Sequence, residues 1–268
     1  MVRVIDVCSG KGGVGKTVVA TNLAATLQGI GKRVAVIDCN LTTAHMGLHL
    51  GMHKNTNTLN NYLRNEVKLE DTLYDHVTNI KVVPASLEVR DLIDIDSSRM
   101  KDDIKRVFAD YDYVILDSAP GLGKEALIAM NASDELLFVA TPHVPSLVDI
   151  AKYTHFAEKI GHNPIGVVLN RVKNKKYEIK PEDVLYFTEL PLLNTIPEDE
   201  SVLKSVNEKK LVVHNRPKAK SSKAFKKLGH KIAGIDYKEK SFLSSIPSLF
   251  RRKKVVHIIA PQNQQNVV

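Results

Sequence analysis

Short apolar runs alternate with longer amphipathic segments along this chain. The apolar runs are rich in Val, Ile and Leu and nearly continuous in hydrophobicity, as strands buried on both faces of a sheet are. They predict strands at Val2–Cys8, Arg33–Asp38, Ile80–Pro84, Tyr113–Asp117, Leu136–Thr141, Ile165–Asn170 and Leu193–Ile196. The intervening segments predict helices at Lys16–Ile30, Thr58–Arg64, Leu69–Asp75, Ser98–Ala109, Gly123–Met130, Ser146–Ile160, Pro181–Phe187, Val202–Glu208 and Lys218–Ile235.

This alternation predicts an α/β fold with a single doubly wound, mostly parallel sheet and helices on both of its faces. Ligands in such folds bind at the carboxyl ends of the strands. The last well-patterned helix ends near Gly234. We therefore expect one domain over residues 1–235, followed over 236–268 by a linker, an amphipathic basic segment (242–254) and a C-terminal extension.

A glycine-rich loop, SGKGGVGKT at residues 9–17, lies between the first predicted strand and the first predicted helix. It fits the G-x-x-x-x-G-K-[ST] pattern, in which glycines let backbone N–H groups approach phosphate oxygens. Lys16 is expected to reach the terminal phosphates, and the Thr17 hydroxyl to ligate Mg²⁺. The loop residues expected to contact the nucleotide are Gly10, Lys11, Gly12, Gly13, Val14, Gly15, Lys16, Thr17 and Val18.

Two acids end predicted strands at the same edge of the sheet. Asp117 closes a buried strand, as does an acid that holds Mg²⁺ through water. Taken alone, a carboxylate in such a position is often a helix cap, and the phosphate-binding loop favours the magnesium role. Asp38 ends the second predicted strand in the sequence Asp38-Cys39-Asn40. The cysteines Cys8 and Cys39 each end an apolar run and are expected to be buried free thiols.

The string KGGVGKT resembles the deviant Walker A loop of the MinD/ParA family of ATPases, and the motif order matches that family from Val2 to about Ile235, most nearly its MinD members. The resemblance implies that ATP and Mg²⁺ drive formation of a homodimer. Lys11 would then reach across the interface to the partner's nucleotide, as an arginine finger does. Two later loops would cradle the adenine through Asn170, Arg171, Pro197, Glu198 and Asp199.

One departure from the family pattern concerns hydrolysis. The family usually carries Asp-x-Asp after the second strand, where the first acid lies near the metal and the second positions the attacking water. This chain keeps Asp38 and has Asn40 in place of the second acid. An amide orients water but cannot take a proton. We therefore expect catalysis by Lys11, Lys16, Asp38 and Asn40 to be slow, and an ATP-dependent scaffold with little hydrolysis is an alternative.

The C-terminal part of the chain is strongly basic. From Glu200 onward there are 16 Lys/Arg and 4 Asp/Glu, although the net charge of the whole chain is only +8. Apolar residues on one helical face precede a run of four cations, which predicts an amphipathic membrane anchor. A helix docked on the body of the protein is the alternative. The predicted anchor comprises Phe242, Leu243, Ile246, Leu249, Phe250, Arg251, Arg252, Lys253 and Lys254.

Together with these features, the family resemblance implies a MinD-like ATPase that organises cell division or another cellular position. It would be cytoplasmic and reversibly peripheral at the inner face of the cell membrane. It would bind anionic lipid and be released after hydrolysis, which an unidentified activating protein would stimulate. The alternative is a ParA-like partitioning ATPase whose basic segment Lys204–Lys231 binds nonspecific DNA. The chain contains no apolar run of 18 residues that would predict a transmembrane helix.

Overall fold

A sheet of eight strands organises the part of the chain described by this computed structural model, residues 1–52, 55–88 and 94–238. Its strands are apolar and mostly buried on both faces, because helices cover each side. Residues Met1–Tyr237 form one compact unit. The strands are β1 Arg3–Cys8, β2 Val34–Asp38, β3 Tyr74–Asp75, β4 Lys81–Val83, β5 Tyr113–Asp117, β6 Glu135–Ala140, β7 Asn163–Val172 and β8 Leu192–Pro197.

The strand order across the sheet is β3-β4-β2-β5-β1-β6-β7-β8. All neighbouring strands are parallel except β3 and β4, which pair antiparallel at one edge. The chain starts at the central β1, places β2, β3 and β4 on one side, returns to insert β5 between β2 and β1, and continues through β6, β7 and β8 on the other side, as in a doubly wound fold. The predicted fold class is therefore confirmed.

Helices pack on both faces of this sheet. The helices in the described residues are α1 Lys16–Gly29, α2 Met46–Leu50, α3 Leu59–Leu63, α4 Met100–Val107, α5 Lys124–Ala132, α6 Val144–Lys159, α7 Val184–Thr188, α8 Glu200–Asn207, α9 Val212–Asn215 and α10 Lys220–Ile232. One core lies between the sheet and helices α1, α9 and α10, and two others lie on the opposite face against α3 to α7. Helices α1 and α10 approach closely at Gly229, where an added Cβ would lie 2.4 Å from Cγ2 of Thr26.

The structure differs from the sequence-based prediction mainly in short elements. A helix was expected over Leu69–Asp75, but only Leu69–Thr72 forms a 3₁₀ turn, and β3 follows it. The cause is tertiary, since β3 pairs with β4 in the registers Tyr74↔Val82 and Asp75↔Lys81. The one-turn helices α2 and α9 were not predicted, because a single turn has too few positions for a helical period.

Parallel pairing brings the ends of three central strands together. In the register of β2 with β5, Asp38 lies opposite Asp117, and in that of β1 with β5, Val7 lies opposite Asp117. The glycine-rich loop leaves β1 at the same edge. Cys8 and Cys39 are buried free thiols, as predicted. Among the described residues, no helix has the length and apolar character needed to cross a bilayer.

Candidate nucleotide-binding site

The glycine-rich loop forms an exposed crest between β1 and α1. Gly13 and Gly15 adopt left-handed backbone conformations, with φ of 76° and 94°. Gly10 packs so closely on α6 that an added Cβ would lie 2.3 Å from Cβ of Asp149. Lys11, Gly12 and Gly13 are exposed, whereas Val14 and Lys16 are buried. The loop therefore presents its backbone to solvent at a place that requires glycine, as a phosphate cradle does.

Lys16 begins α1 and lies beneath this loop, with only 7% of its surface exposed. Burial lowers the pKa of its ammonium, and the nearby carboxylates of Asp117 and Asp6 act in the opposite direction. A buried cation at the N-terminus of a helix, next to acids that would hold a metal, suits the terminal phosphates of a nucleotide.

Asp117 and Thr17 lie close together under the loop and fit a magnesium ion. Neither oxygen of the Asp117 carboxylate has a well-formed hydrogen bond among the described residues, although the residue is 1% exposed. Burial raises the pKa of Asp117 to about 6, and the Thr17 hydroxyl and Lys16 limit that rise. Carboxylate and hydroxyl oxygens are the ligands that Mg²⁺ prefers. A buried carboxylate at this edge, with no well-formed hydrogen bond among the described residues, therefore fits a bound cation.

Asp38 is fully buried beside Asp117 and holds the start of the loop that follows β2. Its Oδ1 accepts the backbone N–H of Asn40 at 3.1 Å, and its Oδ2 accepts that of Met46 at 3.3 Å. Burial and the adjacent Asp117 carboxylate raise the pKa of Asp38. The side chain thus lies at the predicted metal edge, where it also orders the residues around Asn40.

Asn40 is bound within its own loop. Its Nδ2 donates to the carbonyl oxygen of Thr43 at 2.9 Å, and its Oδ1 accepts from the Thr43 hydroxyl at 2.9 Å. Both polar groups of the amide therefore stabilise a local turn. The sequence predicts that Asn40 orients the attacking water. In the structure Asn40 lies next to Asp38, but its side-chain amide is hydrogen-bonded to Thr43.

The two lysines of the loop occupy different environments. Lys11 is on the exposed crest, with 52% of its side chain accessible, and its Nζ lies 3.4 Å from Oδ2 of Asp149 on α6. Lys16 is buried among the acids below. The Lys11–Asp149 contact is a partly exposed ion pair, worth about 0.2–1 kcal/mol. Lys11 is consequently held only weakly in this position.

The residues predicted to hold adenine line one cavity of about 140 Å³. Asn170, two residues before the end of β7, donates from Nδ2 to the carbonyl oxygen of Val14 at 2.7 Å, which connects the cavity to the phosphate loop. The structure thus brings two separate strand ends and the loop into one wall. The predicted residues among its lining are Gly15, Val18, Asn170, Arg171, Pro197, Glu198 and Asp199.

The Asp199 carboxylate has a structural role in this wall. It accepts the backbone N–H of Ser201 at 2.9 Å, which caps α8, and the N–H and hydroxyl of Ser221 at 3.1 and 2.9 Å. Partial burial acts to raise the pKa of Asp199, but the hydrogen bonds from Ser221 and Ser201 outweigh it and lower the pKa to about 2. Only the backbone of Asp199 is left to face a ligand.

Three acids near the site were not predicted. Asp6, fully buried on β1, has no well-formed hydrogen bond at either oxygen among the described residues, and burial and Asp117 raise its pKa. Its signal was a charged residue inside an apolar strand, where charges are rarely buried. Asp149 and Glu125, on α6 and α5, carried no local signal because their partners are distant in sequence.

The predicted membrane residues Phe242, Leu243, Ile246, Leu249, Phe250, Arg251, Arg252, Lys253 and Lys254 lie outside the described residues.

Comparison with known proteins agrees with this geometry. The sequence profile of a family described as an AAA domain matches residues 2–170. An uncharacterised ATP-binding protein of Methanocaldococcus jannaschii is 34% identical over 257 residues, which cover 92% of this chain and 98% of that protein. The septum site-determining protein MinD of Thermotoga maritima is 29% identical, with 87% of this chain and 89% of that protein covered.

Solved structures give the same result. The septum site-determining protein MinD of Pyrococcus horikoshii, complexed with Mg-ADP, has a TM-score of 0.83 at 33% identity and covers 87% of this chain and 96% of its own. The cell division ATPase MinD of Pyrococcus furiosus also has a TM-score of 0.83, at 34% identity, with 87% and 99% covered. The family resemblance predicted from the loop is thereby confirmed, and this chain belongs to the MinD/ParA family of P-loop ATPases.

Proposed function

We propose that this protein is a MinD-like ATPase that dimerises when it binds ATP and Mg²⁺ and associates reversibly with membrane to organise cell division or another cellular position. The observation that carries the proposal is the separation of the two loop lysines. Lys16 is buried beside Asp117, where it serves its own nucleotide, and Lys11 lies on the exposed crest. A cation in that position is available to a nucleotide bound by a second subunit.

The residues of the site divide the work of ATP binding. The loop N–H groups and Lys16 hold the phosphates, while Thr17, Asp117 and Asp38 hold Mg²⁺, which neutralises phosphate charge when bound. Arg171, whose Nε lies 4.0 Å from Oε2 of Glu198, closes the rim of the adenine cavity. Lys11 stabilises the charge that develops on the partner's nucleotide.

Dimerisation is tested by measuring molar mass in the presence of Mg²⁺ with ATP, ADP or no nucleotide. The proposal predicts a dimer with ATP only. Lys11→Ala is expected to bind ATP, because its own Lys16 site is intact. It should dimerise weakly and release no phosphate, because it offers no lysine to the partner's nucleotide. Glu158→Ala, an exposed residue on α6, is the matched control and should behave as wild type. A wild-type protein that stays monomeric with ATP contradicts the proposal.

Slow hydrolysis is part of the proposal. Asn40 cannot accept a proton, and its amide is already bonded to Thr43. Phosphoryl transfer depends mainly on positioning and electrostatics, so turnover persists at a reduced rate. An activating protein, not identified by the sequence, would raise it. A scaffold with negligible hydrolysis is the limiting case, and persistent ATP-bound dimers without phosphate release would favour it.

Membrane association is proposed to reside in residues 236–268, outside the ATPase domain at 1–235. One anchor of five apolar residues and four cations binds reversibly, and two on one dimer gain a factor of about 10²–10⁴ by avidity. The protein would therefore be cytoplasmic without ATP and peripheral at the inner face of the cell membrane with it. Co-sedimentation with anionic vesicles should require ATP and disappear when residues 240–268 are deleted.

A second candidate, binding of nonspecific DNA, is favoured by one observation. Helix α10 carries five lysines and no acidic residue between Lys220 and Ile232. Cations on one element attract a phosphate backbone, and such binding weakens steeply with salt. DNA binding that survives deletion of 240–268, with vesicle binding absent in wild type, would support this candidate over the membrane.

A further inference from the structure

Glu125 joins the two loops that flank the metal-binding acids. Its Oε2 accepts the backbone N–H of Thr42 at 3.0 Å, and its Oε1 accepts a hydrogen bond from the Thr42 hydroxyl. Glu125 lies in the first turn of α5, directly after the loop that leaves β5. Thr42 lies in the loop that leaves β2. One carboxylate therefore connects segments that are 83 residues apart in the chain.

The two connected loops begin at the acids of the proposed metal site. Asp38 ends β2 and Asp117 ends β5, and the two are opposite each other in the sheet register. Thr42 lies inside the turn that Asn40 and Thr43 close with two hydrogen bonds. A contact that fixes Thr42 consequently fixes this turn against the start of α5.

Helix stabilisation alone does not account for the contact. An acid in the first turn of a helix interacts favourably with the helix dipole wherever its side chain points. Glu125 instead takes both hydrogen-bond donors of a single residue on a neighbouring loop. Thr42 follows Asn40 by two residues in the loop that begins at Asp38. The carboxylate thus lies near the edge where Asn40 contributes no charge.

We propose that Glu125 is a positioning residue for ATP hydrolysis. Its carboxylate accepts two hydrogen bonds from Thr42 and so holds the turn that contains Asn40 at the metal-binding edge of the sheet. The inference rests on the proposed ATPase function and deepens it. The residue touches neither nucleotide nor metal in this account. It acts through Thr42, so its removal affects the rate of the chemical step and the order of the loop, and leaves nucleotide affinity in place.

The test compares Glu125→Ala with Glu125→Gln, using Glu158→Gln as a control on an exposed glutamate of α6. Glu125→Ala is expected to lower the single-turnover rate of ATP hydrolysis about tenfold, the effect of losing hydrogen bonds to a charged group. Its dissociation constant for ATP should change by less than about twofold. Glu125→Gln should retain most of the rate, because its amide oxygen accepts the backbone N–H of Thr42 and its amide nitrogen donates to the Thr42 hydroxyl oxygen.

Hydrogen exchange of backbone amides measures the order of the loop around Asn40, which the hydrolysis rate does not report. Backbone amides of residues 40–46 should exchange faster in Glu125→Ala than in wild type, and should be nearly unchanged in Glu125→Gln and Glu158→Gln. Wild-type turnover in Glu125→Ala overturns the inference, as does a loss of rate with unchanged exchange at 40–46 or with a parallel loss of ATP affinity. A wild-type protein that binds ATP but releases no phosphate overturns the proposed hydrolysis itself, which is a different result.

Discussion

Replacement of Gly15 by alanine perturbs the phosphate loop at a single atom. Gly15 has φ of 94° and ψ of 31°, a left-handed conformation. An added Cβ would lie 2.4 Å from Nδ2 of Asn170, the atom that donates to the carbonyl oxygen of Val14 at 2.7 Å. Alanine here therefore strains the backbone and displaces a buried side chain from its hydrogen bond.

The two effects set the size of the change in stability. A non-glycine residue in the left-handed region costs about 1–2 kcal/mol. Leaving the buried hydrogen-bond partners unsatisfied costs about 1–3 kcal/mol more. The free energy of unfolding should therefore fall by roughly 2–5 kcal/mol, which corresponds to a decrease in Tm of about 4–20 °C for a domain of this size.

Thermal and urea unfolding of Gly15→Ala and Gly29→Ala form a matched comparison. Gly29 ends α1, and an added Cβ there meets nothing within 4 Å. Gly29→Ala should be neutral or stabilise the protein by up to about 1 kcal/mol. ATP binding, followed by calorimetry, should weaken in Gly15→Ala and remain unchanged in Gly29→Ala, because Gly15 lines the cavity and Gly29 does not.

Asn170→Ala separates strain from displacement. Since Gly15→Ala already moves the Asn170 amide, the double variant should be destabilised by less than the sum of the two single variants. A Gly15→Ala variant that unfolds and binds ATP like Gly29→Ala would contradict this prediction. Additive effects of the two substitutions would contradict it as well, because the contact between the two residues would then contribute no free energy.

Two further predictions concern hydrolysis and acid stability. Asn40→Asp should raise the single-turnover rate of ATP hydrolysis by at least about tenfold, because it supplies a proton acceptor. The affinity for ATP should change by less than about threefold. An unchanged rate would show that the missing acid does not limit turnover. Asp199→Ala should lower the free energy of unfolding by about 1 kcal/mol at pH 7 through loss of the cap on α8 and the contacts with Ser221. Because folding lowers the pKa of Asp199 to about 2, this stabilisation is complete above the unfolded pKa near 3.9 and is lost as pH falls toward 2. If urea unfolding gives the same free-energy difference between wild type and Asp199→Ala at pH 7 and pH 2, the prediction is wrong.

The central architecture could be predicted because the sheet is buried on both faces. Each long strand is a continuous apolar run, and runs of this kind can be recognised as strands from the sequence alone. Strand β3 could not be predicted, since two residues carry no period and Tyr74 joins the sheet only by pairing with Val82. The strand order also follows from tertiary packing, although right-handed parallel connections restrict the choices.

The candidate site divides in the same way. The loop, Asp38 and Asp117 were predictable because each lies where a strand ends and a local motif marks it. The pairing of Asn40 with Thr43 and of Glu125 with Thr42 was not, since hydrogen bonds depend on how loops fold back. Asp6 was visible as a charge in an apolar run, but its neighbour Asp117 is brought to it only by the sheet.

The claim that Lys11 acts on the nucleotide of the partner subunit is tested most directly by mixing two inactive variants. Lys11→Ala keeps Asp38 but donates no lysine, and Asp38→Asn donates Lys11 but lacks the acid. At subunit concentrations high enough to saturate dimerisation, random pairing of equal amounts makes half of the dimers mixed, each with one complete site. Phosphate release should then reach about a quarter of the wild-type rate. If Lys11 acts within its own subunit, no subunit in the mixture holds both groups, and a mixture as inactive as its separate components would contradict the account.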